Sequence, residues 1–197
     1  MPGGTRLGTL RSMRSRFPFP VALLFLAVLA VPAALAPPAR PAAGSIPDSA
    51  ATTVIVVRHA EKDTMMVGAD PPLSAAGILR AHELARVLAD AGISAIYVTP
   101  WQRNRQTAQP LADRIGDTLT VVDAVDETVE RLRTRHAGRT VLVVGHSNTV
   151  PQIIEKLAGV TIPPFVERDF DRLYVVTLLP GRPARVTALH YGAARAP

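Results

Sequence analysis

From Thr52 onward the sequence predicts an α/β domain of three layers, with helices on both faces of a mostly parallel sheet. Two observations lead there. Short apolar, β-branched runs alternate with stretches of helical periodicity, the pattern of successive β/α units. The first of those runs, Thr52–Val57, is β-branched throughout and continuously uncharged, as a strand buried on both faces must be.

The remaining elements follow in order. A helix is expected over about Ser74–Ala91, with Ser74 as N-cap and Ile78, Leu84, Ala85 and Leu88 as its apolar stripe. A second strand, Ala95–Val98, runs into Thr99-Pro100, read as N-cap and first helical position. The helix after it turns Ala108, Leu111, Ala112 and Ile115 inward, and Pro110 is expected to kink or interrupt it. A third strand near Thr118–Val122 leads to a helix over about Asp126–His136, with Val129 and Leu132 inward. Ala137-Gly138 stops that helix before a fourth strand, Thr140–Val144. A helix near Val150–Ala158 and two strands, Leu173–Leu179 and Arg185–His190, complete the domain. The Pro180-Gly181 turn makes the last two antiparallel.

The domain so defined covers residues 50–193, and residues 1–44 read differently. Arg6, Arg11, Arg14 and Arg16 precede the apolar run Val21–Val31, the charge order of a secretory signal. Residues 17–36 approach the ~20 residues of a spanning helix, so a retained membrane anchor is the alternative. Cleavage after Ala34-Leu35-Ala36 meets Pro37, and Ala42-Ala43-Gly44 is the better site. Pro37 to Ser49, rich in Pro and Ala, is read as a linker. The expectation is a periplasmic or secreted protein that touches a membrane only through this segment.

Charge does not contradict that reading. The net charge of +6 invites a nucleic-acid partner, but setting aside Arg6, Arg11, Arg14, Arg16 and Arg40 leaves 22 less five, or 17, basic residues against 16 acidic ones. A near-neutral domain lacks the electrostatic footprint of a nucleic-acid binder. The absence of cysteine excludes disulfides, thiolate catalysis and cysteine-ligated metal.

Three polar clusters each directly follow a strand: Arg58-His59, Thr99 to Arg103, and Gly145-His146. In an open parallel sheet such strand ends line one crevice, where ligands bind. Two histidines and two arginines converging there, with Arg103 in the first turn of a helix, make an anion site, and phosphate is its natural occupant.

With Arg58-His59-Ala60-Glu61-Lys62, Leu73-Ser74-Ala75-Ala76-Gly77, Thr99-Pro100-Trp101-Gln102-Arg103-Asn104-Arg105-Gln106-Thr107-Ala108 and Val144-Gly145-His146-Ser147 in that order, the chain resembles the histidine phosphatase (phosphoglycerate-mutase-like) superfamily over nearly all of residues 52–190. The resemblance implies a phosphoglycerate-mutase-like fold, His59 as a nucleophile that becomes phosphohistidine, Arg58 and Arg103 as phosphate clamps, and His146 as the second histidine of the pocket. Two planar guanidiniums and an imidazole suit the three equatorial oxygens of a phosphoryl group in transfer. No metal or other cofactor is implied.

Relatives often take the proton for the leaving group from a carboxylate after the third strand. Here that means Asp123, Asp126, Glu127 or Glu130, with Glu61 competing; Glu61 and Asp126 rank equally. Lys62 and Asn148 flank the two histidines as candidate substrate contacts, and Trp101 either lines the pocket mouth or covers the helix start. Asp171 and Tyr174 are candidate supporting groups, while His82, His136 and His190 are read as structural and Arg105 as solvent-facing.

The loops from Lys62 to Leu73 and from Thr118 to Asp126 are too short for the helical cap that many relatives carry, so a shallow, open site is expected, similar to small uncapped bacterial members. The leading expectation is an exported phosphomonoesterase. Its substrate is a phosphorylated small molecule, an envelope glycan or a phosphoprotein. A mutase-type phosphotransferase and a catalytically weak phosphate- or phosphoprotein-binding module are the alternatives.

Overall fold

The computed structural model describes residues 50–193; the signal or anchor segment and linker expected within residues 1–49 lie outside the described residues. The elements alternate as β1 (Thr52–Arg58), α1 (Ala75–Leu88), β2 (Ile93–Val98), α2 (Gln102–Ile115), β3 (Leu119–Val121), α3 (Val125–Arg135), β4 (Thr140–Gly145), α4 (Thr149–Ala158), β5 (Arg172–Leu178) and β6 (Arg185–His190). They build one six-stranded sheet of order β3-β2-β4-β1-β5-β6. β1, β2, β3 and β4 pair in parallel. β5 is antiparallel to both β1 and β6. The three-layer α/β architecture predicted from the alternation is the one observed.

Alternate residues of each central strand feed opposite cores, as the period of two requires. Val54, Val56, Val141 and Val143 pack with Val129 and Leu132 of α3 and Ile153, Ile154 and Leu157 of α4. Ile55, Val57, Leu142 and Val144 pack with Leu84 and Leu88 of α1 and Ala108 and Leu111 of α2. The sheet is thus buried between two helical layers, and its parallel strands read as unbroken apolar runs for that reason.

Several boundaries differ from expectation. α2 begins at Gln102 with Trp101 as N-cap and no side-chain cap of its own. Thr99 is not the cap, because its hydroxyl meets His146 Nε2 at 3.0 Å. The Asp70 carboxylate, from a distant loop, instead accepts the Gln102 N–H at 3.1 Å. Pro110 lies inside α2 without ending it, held by Ala108, Leu111 and Ala112 in the core on either side. α3 starts one residue early, with Ala124 as N-cap and Asp126 in the first turn. Ile78 is 49% exposed; the buried face of α1 runs instead through Gly77, Ala81, Leu84, Ala85 and Leu88. Ser74 caps α1 as expected, accepting the Gly77 N–H at 3.1 Å.

Among the described residues no helix is long and apolar enough to cross a membrane.

Gly77 shows how tightly α1 is set against the loop after β1. A Cβ added there would collide with the backbone carbonyl oxygen of Glu61, which already accepts the Ser74 N–H at 2.9 Å. Gly77→Ala is therefore expected to destabilise the fold by about 1–3 kcal/mol, the range for overpacking at an unyielding neighbour. Chemical denaturation measures it, and an unchanged midpoint would show that the loop gives way freely.

Candidate active site

The carboxyl ends of β1, β2 and β4 are neighbours in the sheet, so the residues that leave them must meet. The β1–β4 pairing continues one step past the strand, with the His59 N–H donating to the Gly145 carbonyl at 2.9 Å. This sets the His59 and His146 rings 5.3 Å apart, edge to face. Arg58, His59, Lys62, Trp101, Arg103, His146, Ser147, Asn148 and Glu167 line one cavity of about 370 Å³.

His59 is buried, and its Nδ1 lies 2.7 Å from the Ala60 carbonyl oxygen. A carbonyl can only accept, so Nδ1 carries the proton and Nε2 carries the lone pair. Arg103 Nε donates to that Nε2 at 3.3 Å. Burial above all, and then the positive charges of Arg58 and Arg103, hold the His59 imidazole far below the ordinary value, at about 3, against the opposing pull of the Ala60 carbonyl. His146 is lowered to about 4 by burial and by Arg103 and Arg58. Both rings are therefore neutral at physiological pH. A neutral imidazole with a fixed tautomer can act as a nucleophile once an incoming group displaces the Arg103 N–H from its Nε2 lone pair.

The two arginines are held differently. Arg58 is buried, its guanidinium 4.1 Å over the Phe170 ring. Its NH1 donates to the carbonyls of Val166, Glu167 and Asp169 at 3.1, 3.2 and 3.4 Å. Arg103 stacks over Trp101 at 4.6 Å and reaches Asp70 at 3.5 Å. Trp101 thus both lines the cavity and supports a guanidinium. Two oriented cations beside a neutral imidazole can neutralise the oxygens of a tetrahedral oxyanion.

Lys62 and Asn148 lie on the cavity wall with the four central residues. Glu61 and Asp126 do not. Both Glu61 oxygens accept from Arg80 Nε, at 2.9 and 3.0 Å, because Arg80 is buried on α1 beside them and needs a counter-charge. Asp126 pairs with Lys156 of α4 at 2.8 Å and is 83% exposed in its side chain. Asp123 does not line this cavity; it lies among the residues around Thr99 and Gly145, where its charge opposes the lowering of the His146 pKa.

The residues read as structural have partners elsewhere. His136 Nε2 meets Tyr97 Oη at 2.8 Å, and His190 Nδ1 meets Asp171 at 2.9 Å. His82 and Arg105 are exposed. Asp171 and Tyr174 do not line the cavity, although β5 begins beside the carboxyl end of β1; Tyr174 packs on Phe165.

Sequence reasoning missed Glu167, Asp70, Asn104 and Thr107. Glu167 bridges Lys62 and Arg58, at 4.0 and 3.9 Å, from an irregular connection with no periodicity to betray it. Asn104 is fully buried and donates to the carbonyls of Val144 and Gly145 at 3.0 and 3.1 Å. A helical polar residue one step from Arg103 was the available signal. Among the described residues there is no group of three or more His, Asp or Glu side chains that could hold a metal ion.

Residues 54–128 match the family model described as the histidine phosphatase superfamily, branch 1. The resemblance read from the motifs is thus found independently. The fold is that of solved phosphatases. The chain is similar, at 21% identity and a TM-score of 0.59, to the protein histidine phosphatase SixA complexed with tungstate, over 70% of this chain and 96% of that one. It is similar to a mycobacterial glucosyl-3-phosphoglycerate phosphatase at 14% identity and a TM-score of 0.57, over 73% of this chain and 100% of that one. No curated protein sequence matches the chain.

The depressed histidines have a consequence for stability. As pH falls below about 6.5 the unfolded chain takes up protons on these imidazoles while the folded one does not, down to about 4 for His146 and about 3 for His59. Stability is therefore full above pH 6.5 and falls across that window. At pH 5, His59→Gln is expected to recover about 2 kcal/mol of the loss relative to pH 7.5, since each unit is worth about 1.4 kcal/mol. Thermal unfolding at the two pH values checks it, and an identical fall in both proteins would place the His59 pKa near its ordinary value.

Proposed function

We propose that this chain, matched over residues 54–128 to the histidine phosphatase superfamily, is a phosphomonoesterase that transfers the phosphoryl group to Nε2 of His59 and then to water. The observation that carries the proposal is the His59 Nδ1–H donated to the Ala60 carbonyl at 2.7 Å, which leaves a neutral Nε2 facing the cavity between Arg58 and Arg103. Attack by Nε2 forms a P–N bond as the ester P–O bond breaks, and the leaving oxygen departs with the bonding pair. Water then attacks phosphorus, releasing inorganic phosphate and the free imidazole. Arg58, Arg103 and His146 surround the phosphoryl oxygens in both steps, supplying positioning and charge. Lys62 and Asn148 contact the rest of the substrate.

The carboxylates favour a second reading of the substrate. Among the described residues the cavity wall carries one carboxylate, Glu167, and at 76% exposure it is already paired with Arg58 and Lys62. A leaving group that needs little protonation suits such a site: an aryl phosphate, or the imidazole of a phosphorylated histidine on a protein, the substrate named for the similar SixA. Alkyl phosphates, sugar phosphates among them, are the more demanding class.

Export is proposed on the N-terminal sequence alone, from its arginines followed by the apolar run Val21–Val31. Cell fractionation with an antibody to the domain tests it, and recovery with cytosolic markers would refute it.

Turnover of p-nitrophenyl phosphate without added metal is expected for the wild type and lost by at least about a thousandfold in His59→Ala. Turnover that survives the substitution would leave a binding module or a different nucleophile. Glu61→Gln and Asp126→Asn are expected to change aryl and alkyl phosphate turnover by the same factor, because neither carboxylate reaches the cavity. A loss confined to alkyl phosphates would make that residue the proton donor after all.

A further inference from the structure

We propose that Thr107 is a positioning residue that sets the nucleophile and its clamping arginine relative to each other; this rests on the reading of His59 as nucleophile. Thr107 is fully buried on α2 and lines no part of the cavity, so it touches no substrate. Its hydroxyl makes two bonds at once. Oγ1 donates to the Arg103 carbonyl, one helical turn back, at 2.7 Å. It accepts the Ala60 N–H at 2.9 Å.

The direction of both bonds is forced. A backbone N–H can only donate and a carbonyl only accept, so the single hydroxyl proton must go to Arg103 and a lone pair must face Ala60. The bond to the residue four positions earlier fixes the hydroxyl rotamer. That rotamer aims the lone pair across the gap between α2 and the loop after β1.

Ala60 is the residue on which His59 depends. Its carbonyl receives the His59 Nδ1 proton, and its own side chain is fully buried. Ala60 is thus held at both ends, its N–H by Thr107 and its carbonyl by His59. Arg103, whose Nε meets His59 Nε2 at 3.3 Å, hangs from the same turn of α2 that Thr107 fastens. The chain of contacts Arg103 O, Thr107 Oγ1, Ala60, His59 Nδ1 closes back through His59 Nε2 to the Arg103 side chain. The other bonds that anchor this loop go to its neighbours: the Ser74 N–H donates to the Glu61 carbonyl, and the Gln106 side chain accepts the Leu73 N–H.

The test compares the full chain as wild type, Thr107→Ser, Thr107→Val and Thr107→Ala, each first shown to be folded by its thermal transition. Thr107→Val keeps the shape and removes the hydroxyl; Thr107→Ala removes the hydroxyl without its bulk if valine is not accommodated. With p-nitrophenyl phosphate, kcat is expected to fall on the order of 10- to 100-fold without the hydroxyl, the scale of small misplacements in an active site. KM should change little, and Thr107→Ser should restore kcat. In parallel, nitrogen-15 spectra of the imidazoles are expected to show one His59 tautomer, protonated at Nδ1, in wild type and Thr107→Ser, and a mixture in the hydroxyl-free variants. Wild-type kcat without the hydroxyl, or a Thr107→Ser as impaired as Thr107→Val, would overturn the proposal. If wild-type turnover does not depend on His59, the phosphatase reading fails on its own. The tautomer comparison then decides Thr107: an unchanged single tautomer in the hydroxyl-free variants overturns it.

Discussion

The site depends on the parallel pairing of β1 with β4. Six register pairs, from Thr53 with Thr140 to Arg58 with Gly145, place the two strands side by side in the middle of the sheet. The His59 N–H extends that ladder to the Gly145 carbonyl at 2.9 Å. Everything that follows in the cavity is a consequence of two strands ending together. The two imidazoles leave adjacent strand ends, and α2, entering from β2 on the other side of β4, brings Arg103 over them. A slip of one residue in this pairing would send every β1 side chain to the opposite core, so the two apolar layers themselves hold the register.

Burial then does the electrostatic work. His59 lies almost wholly out of solvent beside three cationic or polarised groups, and it remains neutral because the charged form would be desolvated next to Arg58 and Arg103. The carboxylates that could have complicated this are held elsewhere by counter-charges: Glu61 on Arg80, Asp126 on Lys156, and Asp70 between the start of α2 and Arg103. The result is a cationic cleft around a neutral base. Such a cleft attracts phosphate and offers little help to a strongly basic leaving group.

Much of this was legible in the chain. Apolar β-branched runs gave the strands and their burial on two faces, and turn residues gave the connections. Arg58, His59, Arg103 and His146 could be placed together because each follows a strand by a residue or two, and parallel strand ends converge. What was not legible depended on contacts distant in sequence. Glu61 looked like a proton donor from its distance to His59, but Arg80 on α1 claims it. The start of α2 was misplaced because its cap is Asp70, more than thirty residues earlier, while the nearer Thr99 is drawn to His146. Thr107 was visible in the motif as a small polar residue, yet only the docking of α2 against the loop after β1 shows what its hydroxyl joins.

The central claim is that His59 Nε2 becomes the phosphoryl carrier. Rapid quenching of the enzyme during turnover, followed by peptide mapping of the phosphorylated residue, tests it most directly. The account predicts an acid-labile, alkali-stable phosphoryl group on His59, formed at the rate of the first step and absent from His59→Ala. Phosphate on another residue, or turnover with no phosphoenzyme at any quench time while product accumulates in a burst, would contradict it.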